Sequence, residues 1–366
     1  MRQKTHVTLK FNLIRSESMR DITTLGIDLA KDVFQLHGVD DMGNKILTKR
    51  LSRRKLAKFI ANLKPCFIGM EACGGAHYWA RKFKSFGHEV KLMSPQFVKP
   101  YVKTNKNDHA DAEAIAEAVT RPTMRFVGIK EIVHQDVQSL HRYRERLIKN
   151  KTQLTNHIRG LLQEYGVVVT KGDSHLHSTL SIILSDIDIE TNHDLSYLSR
   201  EVFADAHEEL RALEKRIKKY TDKIKSLAMK DERCKKLLTI PGVGPITATA
   251  ILASIGDPYV FDNGRQLSAY FGLVPKHVAS GNKIRMLKIS KRGDRYIRAM
   301  LVHGGRSVVK AVKNKTDRRS LWIKKLLKKC EYNKVAVAVA NKNARVIWAI
   351  LTNDTKYVEN YGYGHA

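Results

Sequence analysis

Four carboxylates define the chemistry this sequence is equipped to perform. Asp28 lies inside the apolar run "LGIDLA", where an ionised side chain among Leu25, Ile27 and Leu29 is costly unless paired or metal-bound. Strand alternation sets it opposite Ile27 and Leu29, so a solvent-facing position is the alternative. Glu71 closes a second apolar run, "CFIGME", just ahead of a Gly74-Gly75 turn, and such positions commonly present catalytic groups. Asp108 and Asp111 stand three apart in "NDHADAEAIAEAVT" and share one helical face, although Asp108 taken alone reads as an N-cap. Acids from two strands and one helix can gather into a site for two Mg²⁺ ions, which require several oxygen ligands. A metal pair of that kind activates a nucleophile and neutralises charge on a scissile phosphate.

The elements that must position these acids are legible in the hydrophobic pattern. From Ile22, "ITTLGIDLA", "VFQLHGVD" and "KILTKRLS" read as strands, with "DDMGN" supplying turn chemistry before the third. A helix over 54–64, a strand over 66–71, a helix over about 76–86 and the strand-like "HEVKLMS" follow. The alanine- and glutamate-rich segment 107–120 is helical. A three-stranded meander followed by alternating helices and strands is the order expected of an RNase-H-like α/β fold.

The middle of the chain changes period. Leu140, Leu147, Leu154 and Leu161 recur every seven residues. Later, Phe203, Ala206, Leu210, Leu213, Ile217, Tyr220, Ile224 and Leu227 step by three and four, as an a/d seam does. Two long amphipathic helices around a polar stretch (about 166–196) read as an antiparallel coiled-coil arm or dimerisation element, or else as an ordinary bundle. Arg144 and Lys151 interrupt the first seam. A third region opens near Cys234, where "LLTIPGVGPITATAILASIGD" sets Gly242 and Gly244 between two apolar helical segments. That is either a helix-hairpin-helix, whose glycine turn brings backbone N–H groups to a phosphate, or a tight connection without a ligand.

Charge supplies the partner. In 366 residues, 66 Lys+Arg face 36 Asp+Glu, a net +30 that recruits polyanions, nucleic acid foremost. Residues 276–298 carry eight Lys/Arg and one acid, Asp294, while 306–329 carry ten and one, Asp317. Two such runs beside a phosphate-friendly turn point to a nucleic-acid surface that includes Lys283, Arg285, Lys288, Lys291, Arg292, Arg295 and Arg298. Cys66, Cys73, Cys234 and Cys330 form no CxxC pair, which suits a reducing cytoplasm and argues against a zinc knuckle. No continuous apolar run approaches a bilayer span, and the N-terminus has no signal-like apolar core. Residues 1–18 precede the ordered pattern, so translation starting at Met19 is an alternative.

Taken together, "GIDLAKDVF", "GMEACGG", "NKNDHADAEAIAEA", "IPGVGPITATAILASIGD", "GLVPKHVASGNK" and "ISKRGDRYIRAMLVHGGR" resemble, in this order, the DEDD transposases of the insertion-sequence 110 family, 1111 subgroup. The resemblance spans roughly residues 22–350. It implies a fold of α/β plus α class: a RuvC-like RNase-H-fold domain, a coiled-coil middle, and a mainly helical transposase domain with a helix-hairpin-helix. The corresponding limits are 1–21 for an N-terminal extension, 22–130, 131–233, 234–352, and 353–366 for a C-terminal tail. The family's acids match Asp28, Glu71, Asp108 and Asp111, and its Ser-Gly serine falls on Ser280 in "VASGNK". That serine is implied to attack DNA and hold a 5′-phosphoserine link, with Mg²⁺ on the acids. The resemblance also implies donor and target DNA as substrates, a non-coding bridge RNA as guide, homodimers that assemble to tetramers, and no membrane. The place of action would be the bacterial cytoplasm at the nucleoid. A hydroxyl needs activation, and cations near Ser280 such as Arg292 or Arg295 would stabilise a phosphate in transfer. Where the family often has Thr-Gly or Ser-Gly after the glutamate, this chain has Cys73-Gly74. The alternative is a metal-dependent, junction-resolvase-like nuclease in which the acids hydrolyse DNA and Ser280 merely binds it.

Overall fold

In the computed structural model, residues 21–103, 108–185, 195–280 and 283–359 are described, and for Asp108, Ala279, Ser280, Lys283 and Ile284 the backbone alone. The alternative start at Met19, nearly all of the 1–21 extension and the end of the 353–366 tail lie outside them. The chain divides into two compact units, residues 1–131 and 132–366.

The first unit is built on a six-stranded sheet in the order β3-β2-β1-β4-β5-β6. Strands β1 (Thr24–Leu29), β2 (Val33–Val39) and β3 (Lys45–Ser52) form an antiparallel meander. Strands β4 (Phe67–Glu71) and β5 (Glu89–Met93) then run parallel to β1, and the two-residue β6 (Phe126–Val127) closes the edge antiparallel to β5. Alternation divides the sheet cleanly. Leu25, Ile27, Phe34, Leu36, Ile68 and Met70 point to one face and are buried against α1 (Arg53–Ala61) and α2 (Ala76–Ser85), which contribute Leu56, Ile60, Trp79 and Phe83.

The other face is covered by α3 (Asp108–Val119). It can come this close because the strands beneath it carry glycine. A methyl group on Gly26 would stand 2.5 Å from the Ala116 amide nitrogen, and one on Gly69 2.8 Å from Val119 Cβ. The row of small residues in α3 (Ala112, Ala114, Ala116, Ala118) completes the close approach, since all four are buried.

The second unit is mostly helical. Helices α4 (Ile132–Glu164) and α6 (Tyr197–Lys230) are 33 and 34 residues long and antiparallel: Tyr143 meets Tyr220 with ring centroids 4.9 Å apart, and Tyr165 meets Phe203 at 6.0 Å. The seam differs from the heptad of leucines. In α4 the buried positions are His141, Leu147, Thr155, Ile158 and Leu162, while Leu140, Leu154 and Leu161 lie at its margin. The polar residues that interrupt the leucine pattern sit within the seam and are paired there. Arg144 donates to Thr221 Oγ1 at 2.7 Å, and Lys151 bridges Asp173 and Glu214, each at 2.8 Å. In the α6 seam, Ala228 rather than Leu227 is buried, because the helix end packs into the next cluster. The polar stretch between the long helices contains a helix of its own, α5 (Asp173–Ser185), whose Leu176, Leu180 and Ile183 close a cluster with Ile158, Leu162 and Phe203.

Beyond the seam, α7 (Glu232–Leu238), α8 (Pro245–Ile255), α9 (Gly264–Tyr270), α10 (Arg295–Lys310), α11 (Arg318–Leu327) and α12 (Tyr332–Asn353) enclose two hydrophobic clusters, to both of which α10 and α12 contribute, with an antiparallel hairpin of β7 (Pro275–Ser280) and β8 (Lys283–Ile289). Helix α12 is long and apolar enough to cross a membrane, which the interrupted run hid from the sequence reading. Here it is a core helix: Val335, Ala336, Val339, Ala340, Ala344 and Ile347 are buried, and Gly305 of α10 packs against its backbone.

Candidate active site and nucleic-acid interface

Strand register brings two of the four acids side by side. Ile27 of β1 pairs with Met70 of β4, so Asp28 and Glu71 are the next residues on neighbouring parallel strands. They share the face of Gly26 and Gly69, the face that α3 crosses. Asp28 is half-buried opposite Gln35 of β2, and Glu71 is half-buried opposite Met93 of β5, so each keeps partial access to solvent at its strand end. Helix α3 has two flanks. Ile115 belongs to the same buried cluster as Met93, and Asp111 stands one helical turn before it on that flank of α3. Asp111 is half-buried, and Asp108 opens the helix one turn before it.

A thiol reports on the electrostatics. Cys73, two residues past Glu71, is held above its ordinary pKa, first by desolvation of the sulfur and then by the negative charges of Glu71 and Asp28. The residue as a whole is exposed, and its Sγ lies 3.9 Å from the Leu29 carbonyl. The strand register sets the two carboxylates side by side, and the thiol beside them senses the negative charge of both. Asp28 and Glu71 offer carboxylate oxygens, the donor type of a hard divalent cation such as Mg²⁺ or Mn²⁺, but among the described residues Asp111 is not gathered with them into a group of three ligands within 4.8 Å.

Ser280 is the last residue of β7 and pairs in register with Lys283, the first of β8, so the serine stands at the tip of the hairpin. Arg285 and Lys288 are exposed along β8. The hairpin base is locked by backbone packing: a methyl group on Gly272 would stand 2.6 Å from the Arg292 amide, and Lys291 donates its N–H to the Gly272 carbonyl at 3.1 Å. Gly272, Lys291 and Gly293 all take positive φ there, at 70°, 55° and 78°. Lys291, Arg292 and Arg295 point outward from this turn. Arg298 is different, because its Nη1 donates to the carbonyls of Arg292 at 3.0 Å and Phe271 at 3.2 Å. It clips the turn to the body.

The two acids inside the basic runs are both spent as helix caps. Asp294 accepts from the Tyr296 and Ile297 amides at the start of α10, and Asp317 accepts from the Ser320 amide at the start of α11. One carboxylate against eight and ten cations leaves both runs strongly positive. Gly242 and Gly244 also separate in role. Gly242 has φ 86° and its backbone abuts α10, where a methyl group would lie 2.6 Å from the Gly304 carbonyl oxygen. This glycine serves close helix packing. Gly244 caps α8 with open space beside it.

The structure adds a basic groove that the sequence reading missed. A cavity of about 1600 Å³ behind β8 is lined by Arg265, Lys288, Lys334, Lys342 and Arg345, with Trp322 and Trp348 as aromatic walls. Lys342 Nζ stands 4.6 Å over the Trp322 ring, and its pKa is lowered by burial and by Arg319, Arg318 and Arg345. Its contributors come from α9, β8 and α12, so no single charge run announces it. The readable signal was the spacing of Lys334, Lys342 and Arg345, which recur along one helix face.

Comparison with known proteins identifies relatives along most of the chain. A model of DEDD-type IS110 transposases matches residues 25–167, and one described as "Transposase IS116/IS110/IS902 family" matches residues 234–320. The transposase for insertion sequence element IS1111A of Coxiella burnetii is 46% identical over 343 residues, covering 94% of this chain and 93% of that protein. A probable family 20 transposase of Pseudomonas aeruginosa is 45% identical over 338 residues, covering 92% and 99%. A putative transposase of Sinorhizobium fredii is 44% identical over 346 residues, covering 94% and 88%. The chain belongs to the IS110 family of insertion-sequence transposases.

Proposed function

We propose that this transposase is an RNA-guided serine recombinase that cuts and rejoins donor and target DNA through a covalent 5′-phosphoserine. The observation that supports the reading is the register of β1 and β4, which sets Asp28 and Glu71 side by side at the strand ends of a sheet ordered β3-β2-β1-β4-β5, on the face crossed by the helix that carries Asp111. That order is the one expected of a RuvC-like RNase-H fold, in which this edge receives the scissile phosphate.

In the proposed reaction the Ser280 oxygen bonds to the phosphorus, and the bond from phosphorus to the 3′ oxygen breaks. The serine loses its proton, the departing 3′ oxygen gains one, and the new strand's 3′ hydroxyl later reverses the exchange. The phosphodiester energy stays in the phosphoserine bond, so rejoining needs no nucleotide cofactor; the sequence carries no GxxxxGK[ST] loop. Divalent cations held by Asp28, Glu71, Asp108 and Asp111 would supply charge neutralisation at the scissile phosphate. Lys283, Arg285, Lys288, Lys291, Arg292 and Arg295 hold the DNA backbone near the serine, and the groove of Lys334, Lys342 and Arg345 takes a further nucleic-acid segment. Sequence choice passes to base pairing with a bridge RNA, and the working assembly is a dimer that pairs into a tetramer. The α8 turn at Gly244 contacts phosphate in the manner of a helix-hairpin-helix.

The test incubates the protein with RNA from its element's flanks, labelled donor and target DNA, and Mg²⁺. The readout is a covalent protein–DNA adduct on a denaturing gel, for wild type, Ser280→Ala and Asp28→Ala. An adduct requiring Ser280, Asp28, RNA and metal is expected. Cleavage that survives Ser280→Ala with no adduct would instead identify a carboxylate nuclease.

A further inference from the structure

Helix α3 has a second flank, and it carries different chemistry. His109 and Glu113 lie one turn apart on the side away from Asp111. Across from them, His37 of β2 pairs in register with Gly26 and so projects on the same side of the sheet. The His37, His109 and Glu113 side chains each offer a ligand atom, and these atoms all lie within 4.8 Å of one another. The two imidazoles meet edge to face with centroids 5.9 Å apart.

His37 is the unexplained member. It is only 5% exposed, and its Nδ1 has no hydrogen-bond partner. A buried polar nitrogen left unpaired costs about 1–3 kcal/mol, so a protein rarely keeps one without a use. Asp111 lies on the opposite flank of the helix, and Asp28 and Glu71 lie on other strands, β1 and β4.

We propose that His37, His109 and Glu113 form a binding site for a divalent transition-metal ion of the Zn²⁺ class, separate from the acid cluster. Two imidazoles and one carboxylate favour such an ion over Mg²⁺, which prefers oxygen donors alone. In a tetrahedral site with bonds of about 2.0–2.1 Å, ligand atoms stand about 3.3 Å apart. The three side chains reach that spacing by small rotations, with the fourth position left to water. Burial lowers the pKa of His37 and keeps it in the neutral form that ligates, outweighing the opposing pull of Glu113. Glu113 at present pairs with Lys103 at 3.2 Å, and Lys103 also reaches Glu117 at 3.4 Å. That lysine is long and exposed, and a bound ion takes its place on Glu113 while Lys103 keeps Glu117. The ion ties the first turns of α3 to β2. It thereby positions the helix that carries Asp108 and Asp111 without touching the DNA. This site is independent of the recombinase reading, and its failure would leave that reading standing.

Co²⁺ and Zn²⁺ are the probes, on the purified full-length protein. Wild type is expected to bind Co²⁺ with visible d–d absorption typical of nitrogen ligation at low coordination number, and Zn²⁺ is expected to bleach it. Glu113→Gln, which keeps the side-chain shape, and His109→Ala should each weaken that binding at least tenfold while far-ultraviolet circular dichroism is unchanged. Asp28→Asn should retain the absorption. The proposal is overturned if wild type gives no such bands, if both α3 variants keep them, or if Asp28→Asn abolishes them.

Discussion

Replacing Gly26 by alanine tests whether the closeness of α3 to the sheet is what assembles the acid centre. The added methyl would stand 2.5 Å from the Ala116 amide nitrogen and 2.9 Å from Ala116 Cβ, and it would also meet the Ala112 carbonyl oxygen. Ordinary carbon contacts are about 3.5–4.0 Å, so the helix must retreat by roughly 1 Å. Backbone atoms cannot rotate aside, so the strain is relieved only by moving α3 with Asp108 and Asp111 on it. Overpacking of this kind costs about 1–3 kcal/mol, which lowers the melting temperature of a unit this size by roughly 5–15 °C. Displacement of reactive groups by ~1 Å costs on the order of a hundredfold in rate. Gly26→Ala should therefore lose far more DNA adduct formation than its stability loss explains at 25 °C, where it remains folded. Gly74→Ala is the control, since nothing lies within 4 Å of its added methyl. Calorimetry and the gel assay read both quantities. A Gly26→Ala protein that melts with wild type and forms adduct at the wild-type rate would refute the reasoning.

Two further outcomes follow from packing in the second unit. His141 is buried between Thr249 Oγ1 at 2.9 Å and the Tyr296 hydroxyl at 3.1 Å, and burial, with a smaller effect from Arg144, holds its pKa down to about 4. Because the unfolded imidazole titrates near 6.5, the unfolded state binds more protons below that pH, and stability falls as pH drops from about 6.5 towards 4. About 2 kcal/mol should be lost by pH 5, and His141→Gln should flatten that part of the melting-temperature profile relative to wild type. A variant profile parallel to wild type between pH 7.5 and 5 would disprove it. Gly304→Ala, whose methyl would meet the Gly242 backbone, should destabilise the unit by about 1–3 kcal/mol, whereas Gly244→Ala should leave stability within about 0.5 kcal/mol in chemical denaturation.

Local patterning carried most of the first unit. The alternation of "LGIDLA" and "CFIGME" gave β1 and β4 with Asp28 and Glu71 at the same depth, and "DHADAEAIAEAV" gave the helix of Asp108 and Asp111, because side-chain period is a local property. The basic runs were legible for the same reason. What escaped were relations between distant segments. The seam of α4 could not be read from leucines alone, since Arg144 and Lys151 are tolerated there only because Thr221, Asp173 and Glu214 come from other helices to pair with them. The basic groove escaped because Arg265, Lys288 and Lys342 belong to three elements that only the fold brings together.

The sequence by itself determined the charge, the succession of elements and the four acids with their order, since each depends on residue type and near-neighbour spacing. Tertiary structure alone decided what each side chain faces. It left Asp28 half-buried on the face that α3 crosses, spent Asp294, Asp317 and Arg298 on caps and clips, and set His37 beside His109 and Glu113. The physical reason is that a residue's partners are fixed by packing between segments far apart in the chain. That packing here rests on the absence of a side chain at Gly26 and Gly69.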